Sequence, residues 1–211
     1  GKHFCSGLDL AMFSGLGGES GDPARRAEAF RRNVLRMQDN LSAIEQCRKP
    51  VLAAIHNTCI GGGVDLVCCC DMRYATEDAW FAIREIDIGM TADVGTLQRM
   101  PKLVADGIVR EMAYTGRNMD AEEAREVGFV NRVFPDRETL LREVTTIARG
   151  IARKAPLAVR GTKEMILYAR DHSVRDGLNY IATWNAGMLS EVDLMAGVQA
   201  QASKQQASFE D

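Results

Sequence analysis

The chain has 211 residues, 46% hydrophobic and 26% charged, which is enough for one large domain or two small ones with a sizeable core and too apolar for disorder to be the main state. Its 26 basic residues stand against 29 acidic ones, a net charge of −3, and that balance argues against a protein that works by neutralising nucleic-acid phosphates. No stretch is long and apolar enough to span a membrane, and Gly1-Lys2-His3-Phe4-Cys5-Ser6-Gly7 holds too short an apolar core for a secretory signal.

In chain order, His3-Phe4-Cys5 reads as the end of a strand, and residues 14–23 as a loop by composition. Asp22 and Pro23 form a cap and first-turn pair for a long helix over about 24–47. Phe30, Val34, Met37, Leu41 and Ile44 recur along it every three or four residues, while Arg25, Arg26, Arg31, Arg32 and Arg36 line a face that reads as solvated. Residues 51–55 are a continuous apolar run, as in a strand covered on both sides. A glycine-rich turn follows, Cys59-Ile60-Gly61-Gly62-Gly63, and then a helical segment over 64–69. Residues 71–75 and 80–83 read as further strands.

After Asp93 the pattern turns helical, interrupted by a strand over 130–134. Asp120 with Glu123 makes a capping box, Pro135-Asp136 restarts a helix towards Lys154, and more helices follow Pro156 and Ser173, the last reaching towards Lys204. Strands alternating with helices in the first half imply an α/β fold with parallel pairing and right-handed crossovers. Met188, Leu189, Leu194, Met195 and Val198 carry more apolar surface than a solvated helix needs, so they should pack on the core or on another subunit. Of the six cysteines, Cys68, Cys69 and Cys70 are adjacent and have neither disulfide nor metal-ligand spacing. They read as small buried hydrophobes of a reducing compartment.

The chemistry concentrates around the glycines. Without Cβ atoms, Gly61-Gly62-Gly63 lets the backbone approach a ligand closely, and free amides at a helix start suit a phosphate or the oxyanion of an enolate. The turn has neither P-loop nor dinucleotide-fingerprint spacing. Asp65 follows in an otherwise apolar helix, where a carboxylate must be paired or stay protonated. It reads either as satisfying amides of its own helix or as a functional group beside the glycines. Glu85, just past an aromatic strand, and Asp93, before a helix, are further candidates. Taken singly, Glu85 reads as a surface residue and Asp93 as an N-cap.

Taken together the segments are recognisable. Ser6-Gly7-Leu8-Asp9-Leu10, Cys59-Ile60-Gly61-Gly62-Gly63-Val64-Asp65-Leu66, Asp71-Met72-Arg73-Tyr74, Glu85-Ile86-Asp87-Ile88-Gly89 and Gly95-Thr96-Leu97-Gln98-Arg99-Met100-Pro101 occur in that order. Ala121-Glu122-Glu123-Ala124, Gly128-Phe129-Val130-Asn131-Arg132-Val133-Phe134 and Ala155-Pro156-Leu157-Ala158 follow. The chain resembles the enoyl-CoA hydratase/isomerase (crotonase) superfamily. The resemblance implies a spiral of ββα turns with an active site over residues 1–134, and a helical, trimerising region over 135–211. The family has further strand and helix before the segment that begins at Gly1.

The acidic pattern narrows the resemblance. Hydratases match at Glu85 but carry Glu where Asp65 stands and usually a small apolar residue or Gly where Asp93 stands. Asp65, Glu85 and Asp93 together resemble the Δ3,5-Δ2,4-dienoyl-CoA isomerases, as do Arg170-Asp171-His172-Ser173-Val174 and Leu178-Asn179-Tyr180. This implies that Glu85, Asp93 and Asp65 are catalytic, and that the amides of Leu8 and Gly62 form an oxyanion hole. It also implies that Ser6, Gly7, Leu8, Asp9, Leu10 and Gly62 bind an acyl-CoA substrate. Glu85 would act beside the thioester's neighbouring carbon and Asp93 at the far end of the diene. Asp65 would tune the site or share a proton. No separate cofactor or metal is implied, since CoA is part of the substrate.

A homotrimer or hexamer is implied, with no nucleic-acid partner. The expected compartment is the mitochondrial or peroxisomal matrix in a eukaryote and the cytoplasm in a bacterium. The ending Ser208-Phe209-Glu210-Asp211 is not a Ser-Lys-Leu address. Two other readings stand beside this one. An enoyl-CoA hydratase or simple enoyl-CoA isomerase would tolerate loss of Asp93. An RNA-binding relative without the chemistry would show salt-dependent RNA binding and no activity on acyl-CoA.

Overall fold

Short strands that leave one sheet for another organise the first part of the chain. A computed structural model describes residues 1–9, 11 and 21–210. Two compact units emerge, one of residues 1–46 with 51–141, the other of residues 47–50 with 142–211.

In the first unit, β1 (Leu52–Ile55) and β2 (Thr58–Ile60) are separated by His56 and Asn57, with Asn57 in the left-handed region at φ 53°. The chain thereby turns from one sheet to the next. Helix α2 (Gly62–Cys68) crosses to β3 (Met72–Thr76), which pairs parallel with β1 from Leu52↔Met72 to Ile55↔Ala75. The strand β4 (Trp80–Ala82) then pairs parallel with β2 from Thr58↔Trp80 to Ile60↔Ala82. Such parallel neighbours need a crossover, which α2 supplies.

The short helices α3 (Thr96–Arg99), α4 (Asp106–Thr115) and α5 (Ala121–Glu126) follow, with β5 (Met119–Asp120) before α5 and β6 (Arg132–Phe134) after it. The sheet orders are β1-β3-β6 and β2-β4-β5. The core is built from Ile55, Val64, Val67, Phe81, Met100, Met112, Met119 and Phe129, and Phe81 meets Phe129 edge-on at 5.3 Å.

Two interactions hold α2 in place. Gly63 lies against Cys5 so closely that a Cβ there would come within 2.7 Å of Cys5 Cβ. At the other end, Arg73, 5% exposed, donates to the carbonyls of Cys70 (2.7 Å), Val67 (3.3 Å) and Phe129 (2.6 Å). Its guanidinium also sits over the Phe129 ring. A buried cation is tolerable here because its N–H groups meet backbone carbonyls, two near the end of α2 and one at Phe129.

Helix α1 (Pro23–Glu45) starts as the sequence indicates. Asp22 accepts the Arg25 amide at 3.0 Å, Pro23 occupies the first turn, and the five arginines of the polar face are exposed. The second unit holds the rest of α6 (Arg137–Ala152), then α7 (Pro156–Asp171), α8 (Val174–Met188) and α9 (Glu191–Ala202). Ser173 and Ser190 cap α8 and α9. Gly161 lets α7 and α8 close together, because a Cβ there would meet Trp184 at 2.5 Å. Val174, Leu178, Met188, Leu189, Val192 and Met195 remain exposed.

The structure departs from the sequence expectations in several places. The first strand reduces to a single bridge, Cys5↔Cys59, flanked by Phe4 N donating to His56 O and Ile60 N to Cys5 O. Parallel pairing has one exception, the antiparallel β4–β5 pair, because a two-residue strand after α4 returns along β4. The stretch past β4 is a 3-10 turn, Glu85–Ile88. The Asp120 side chain accepts the Glu123 amide at 2.8 Å, but the Glu123 carboxylate is drawn to Arg117 at 2.6 Å, so the capping box is not reciprocal. Of the expected loop over 14–23, residues 14–20 lie outside the described residues, as does Leu10. The described cysteines are free thiols, and Cys68, Cys69 and Cys70 are buried. Among the described residues no helix is long and apolar enough to cross a membrane.

Candidate active site

Gly61 is the hinge on which the site is built. Its φ of 52° turns the chain from β2 into α2, and its amide donates to Ala82 O at 3.0 Å, tying the turn to β4. A Cβ at Gly61 would lie 3.0 Å from Glu85 Oε1, so the glycine leaves room for that carboxylate. Gly62, the first residue of α2, presents an amide that the helix itself does not use. A Cβ on Gly62 would lie 3.9 Å from Leu8 Cγ. The turn therefore brings together Glu85, Gly62 and Leu8, three residues that the sequence scatters over 78 positions.

Asp65 is fully buried. The expected structural role does not hold, because Asp65 does not satisfy the amides of its own helix. Its Oδ1 accepts the Thr96 amide at 2.6 Å and the Thr96 hydroxyl at 2.7 Å, while Oδ2 has no hydrogen-bond partner among the described residues. Burial raises the Asp65 carboxyl above the usual aspartate range. The Thr96 bonds pull it back, Asp93 pushes it up and Arg99 pulls it down.

Glu85 follows the same logic. Burial raises its carboxyl, the backbone amides of Glu85 and Arg84 oppose that rise, and Asp65 and Asp93 add to it. Its Oε2 is also buried without a hydrogen-bond partner among the described residues. Asp93 is half-buried in the loop before α3 and is not an N-cap: Gly95 takes that position, and Asp65 receives the Thr96 amide instead. Asp93 thus acts on both Asp65 and Glu85, Asp65 acts on Glu85, and these two have an oxygen facing no donor among the described residues. Carboxylates in such a site cannot all ionise cheaply, a condition under which one can hold a proton while another accepts one.

Ser6, Gly7 and Asp9 surround Leu8. Gly7 adopts φ 93°, and Asp9 Oδ1 accepts the Ala11 amide at 2.9 Å. No group of His, Cys, Asp or Glu side chains suited to a metal ion occurs among the described residues. Sequence reasoning quoted Thr96 and Arg99 within a motif but missed Thr96 as the anchor of Asp65. No local signal marked it, because the contact joins positions 31 apart.

A family model described as Enoyl-CoA hydratase/isomerase matches residues 1–211. The chain belongs to the enoyl-CoA hydratase/isomerase family. Among relatives of this family, the chain is 50% identical over 212 residues to the peroxisomal Delta(3,5)-Delta(2,4)-dienoyl-CoA isomerase of Arabidopsis thaliana, covering 99% of this chain and 76% of that protein. It is 48% identical to the mitochondrial Delta(3,5)-Delta(2,4)-dienoyl-CoA isomerase of Homo sapiens, covering 95% of this chain but 62% of the human protein. The chain therefore spans less than two thirds of the length of the human relative. The crystal structure of an enoyl-CoA hydratase from Bacillus anthracis matches with a TM-score of 0.87 at 32% identity, over 99% of this chain and 78% of that one. The hydratase/isomerase fold, mixed α/β with a helical C-terminal region, is thus shared across the chain.

Proposed function

We propose that the protein isomerises 3,5-dienoyl-CoA to 2,4-dienoyl-CoA in the β-oxidation of unsaturated fatty acids. The observation that carries this reading is that Glu85 packs against Gly61 while buried Asp65 and half-buried Asp93 both act on it electrostatically. A hydratase needs to activate one water, whereas moving a proton along a diene needs an acid and a base at separated carbons. The names of the relatives support the same activity.

The thioester oxygen accepts the amides of Leu8 and Gly62. Ionised Glu85 removes a proton from carbon 2, and the negative charge spreads over the thioester oxygen and carbons 2, 4 and 6. A proton delivered to carbon 6 through Asp93 leaves double bonds at 2 and 4, and proton exchange between the acids or with water resets the site. Each oxyanion donor is worth about 2.7–4 kcal/mol in the transition state. Asp65, anchored by Thr96, biases the proton distribution between the other two. The reaction balances with the substrate's own CoA and calls for no separate cofactor.

The exposed apolar residues of α8 and α9 suit a homotrimer or hexamer, and light scattering tests that assembly. The compartments named for the relatives support the peroxisomal or mitochondrial matrix, tested by imaging the tagged protein.

The deciding assay follows the absorbance of the longer conjugated product from 3,5-dienoyl-CoA, beside hydration of crotonyl-CoA. Asp93→Asn should slow isomerisation by about 10²–10⁴-fold, the usual contribution of a positioned acid. Rapid hydration of crotonyl-CoA with no effect of Asp93→Asn overturns the proposal in favour of a hydratase.

A further inference from the structure

Asp93 lies in a loop, outside any ladder of backbone hydrogen bonds that would orient it. Its support comes from α1. Gln38, Ser42 and Glu45 stand four and three residues apart, so they share one helix face. That face grips residues 93–99 at both ends. Gln38 Nε2 donates to the Asp93 carbonyl at 2.5 Å. Six residues on, Arg99 Nη2 donates to Ser42 Oγ at 2.9 Å, and Arg99 Nε and Nη2 reach the two Glu45 oxygens at 3.3 Å each. Arg99 and Glu45 are only 14% exposed, so this ion pair is shielded from water.

The guanidinium passes directly over Gly95, where any Cβ would overlap Nη1, and Gly95 adopts φ 134°. Between the two grips lie the Asp93 carboxylate and Thr96, the anchor of Asp65. The segment is thus clamped along its length by one helix.

We infer that the Gln38–Ser42–Glu45 face of α1 is a positioning device for Asp93, and that Gln38 is the positioning residue for proton transfer at the far end of the diene. This rests on the isomerase reading above. A bond to the Asp93 carbonyl fixes the peptide plane from which its Cα–Cβ vector projects. Reacting groups displaced by an ångström lose rate without losing substrate binding. Gln38 does not touch the substrate, and its effect passes through the backbone of Asp93.

The test uses the purified protein with Gln38→Met, which keeps length and bulk but removes the donor, and Gln38→Lys, which restores a donor. With 3,5-dienoyl-CoA as probe, Gln38→Met should lower kcat by about 10- to 100-fold while KM stays within about twofold, and Gln38→Lys should recover most of the loss. Thermal unfolding should move little in either variant. An unchanged kcat in Gln38→Met overturns the inference, and so does a loss shared by kcat and KM that Gln38→Lys fails to restore. Failure of the unmodified protein to turn over 3,5-dienoyl-CoA instead overturns the isomerase reading itself.

Discussion

Replacing Thr96 with valine removes one hydroxyl from the middle of the first unit and leaves its shape unaltered. Thr96 is 1% exposed, and its hydroxyl donates to Asp65 Oδ1 at 2.7 Å, beside the Thr96 amide at 2.6 Å. The other Asp65 oxygen has no partner among the described residues, so the variant carboxylate keeps a single donor. A hydrogen bond to a charged group is worth about 1.5–3 kcal/mol, and a chain of this size loses roughly 3–12 °C in Tm for that change.

The pH dependence has a definite sign. The hydroxyl favours the ionised form of Asp65 and opposes the rise that burial imposes, so Thr96→Val pushes that carboxyl higher still. The hydroxyl's contribution is therefore fully present above the variant's higher Asp65 pKa and is lost as pH falls through that of the unmodified protein. Calorimetry of both proteins between pH 4.5 and pH 8 should show a Tm gap that widens with rising pH. A gap that is constant across the range, or absent at pH 8, refutes the reasoning that Thr96 supports a charged Asp65.

Two further outcomes follow from the same geometry. Glu85→Gln should cut turnover of 3,5-dienoyl-CoA by about 10²–10⁴-fold while raising Tm at pH 8. The Glu85 carboxyl is raised by burial, so its contribution to stability is full below the ordinary glutamate range and is lost as pH rises through the raised value. The neutral amide escapes that loss, and at pH 4 the two proteins should melt alike. Arg73→Met should cost about 3–5 kcal/mol in urea unfolding, because the buried carbonyls of Cys70, Val67 and Phe129 lose their shared donor. A loss under 1 kcal/mol would show that water replaces the guanidinium without penalty.

Much of the fold was legible because local signals agree with the tertiary outcome. The Asp22-Pro23 start of α1, the serine caps of α8 and α9, and the strand-helix-strand alternation around Gly61-Gly62-Gly63 depend on residues close in the chain. The strands β2 and β5 were harder to read. They are three and two residues long, too short for an alternation to register, and they exist only because a neighbouring strand supplies the ladder. The capping role that Asp65 and Asp93 suggest when each is read singly is absent for a related cause. A capping preference counts only the nearest amides, and the Thr96 amide is taken by an acid 31 residues earlier.

The residue order alone carried the family resemblance, the three acids and the glycine turn, since these lie in short motifs whose spacing along the chain can be read directly. Tertiary structure alone decided that Asp65 leans on Thr96, that Glu85 packs against Gly61, and that one face of α1 holds the Asp93 loop from Gln38 to Glu45. Such contacts join residues up to 57 positions apart. Their geometry comes from how the helices and sheets pack, and hydrophobic periodicity places an element in the fold without specifying which polar atoms will meet across it.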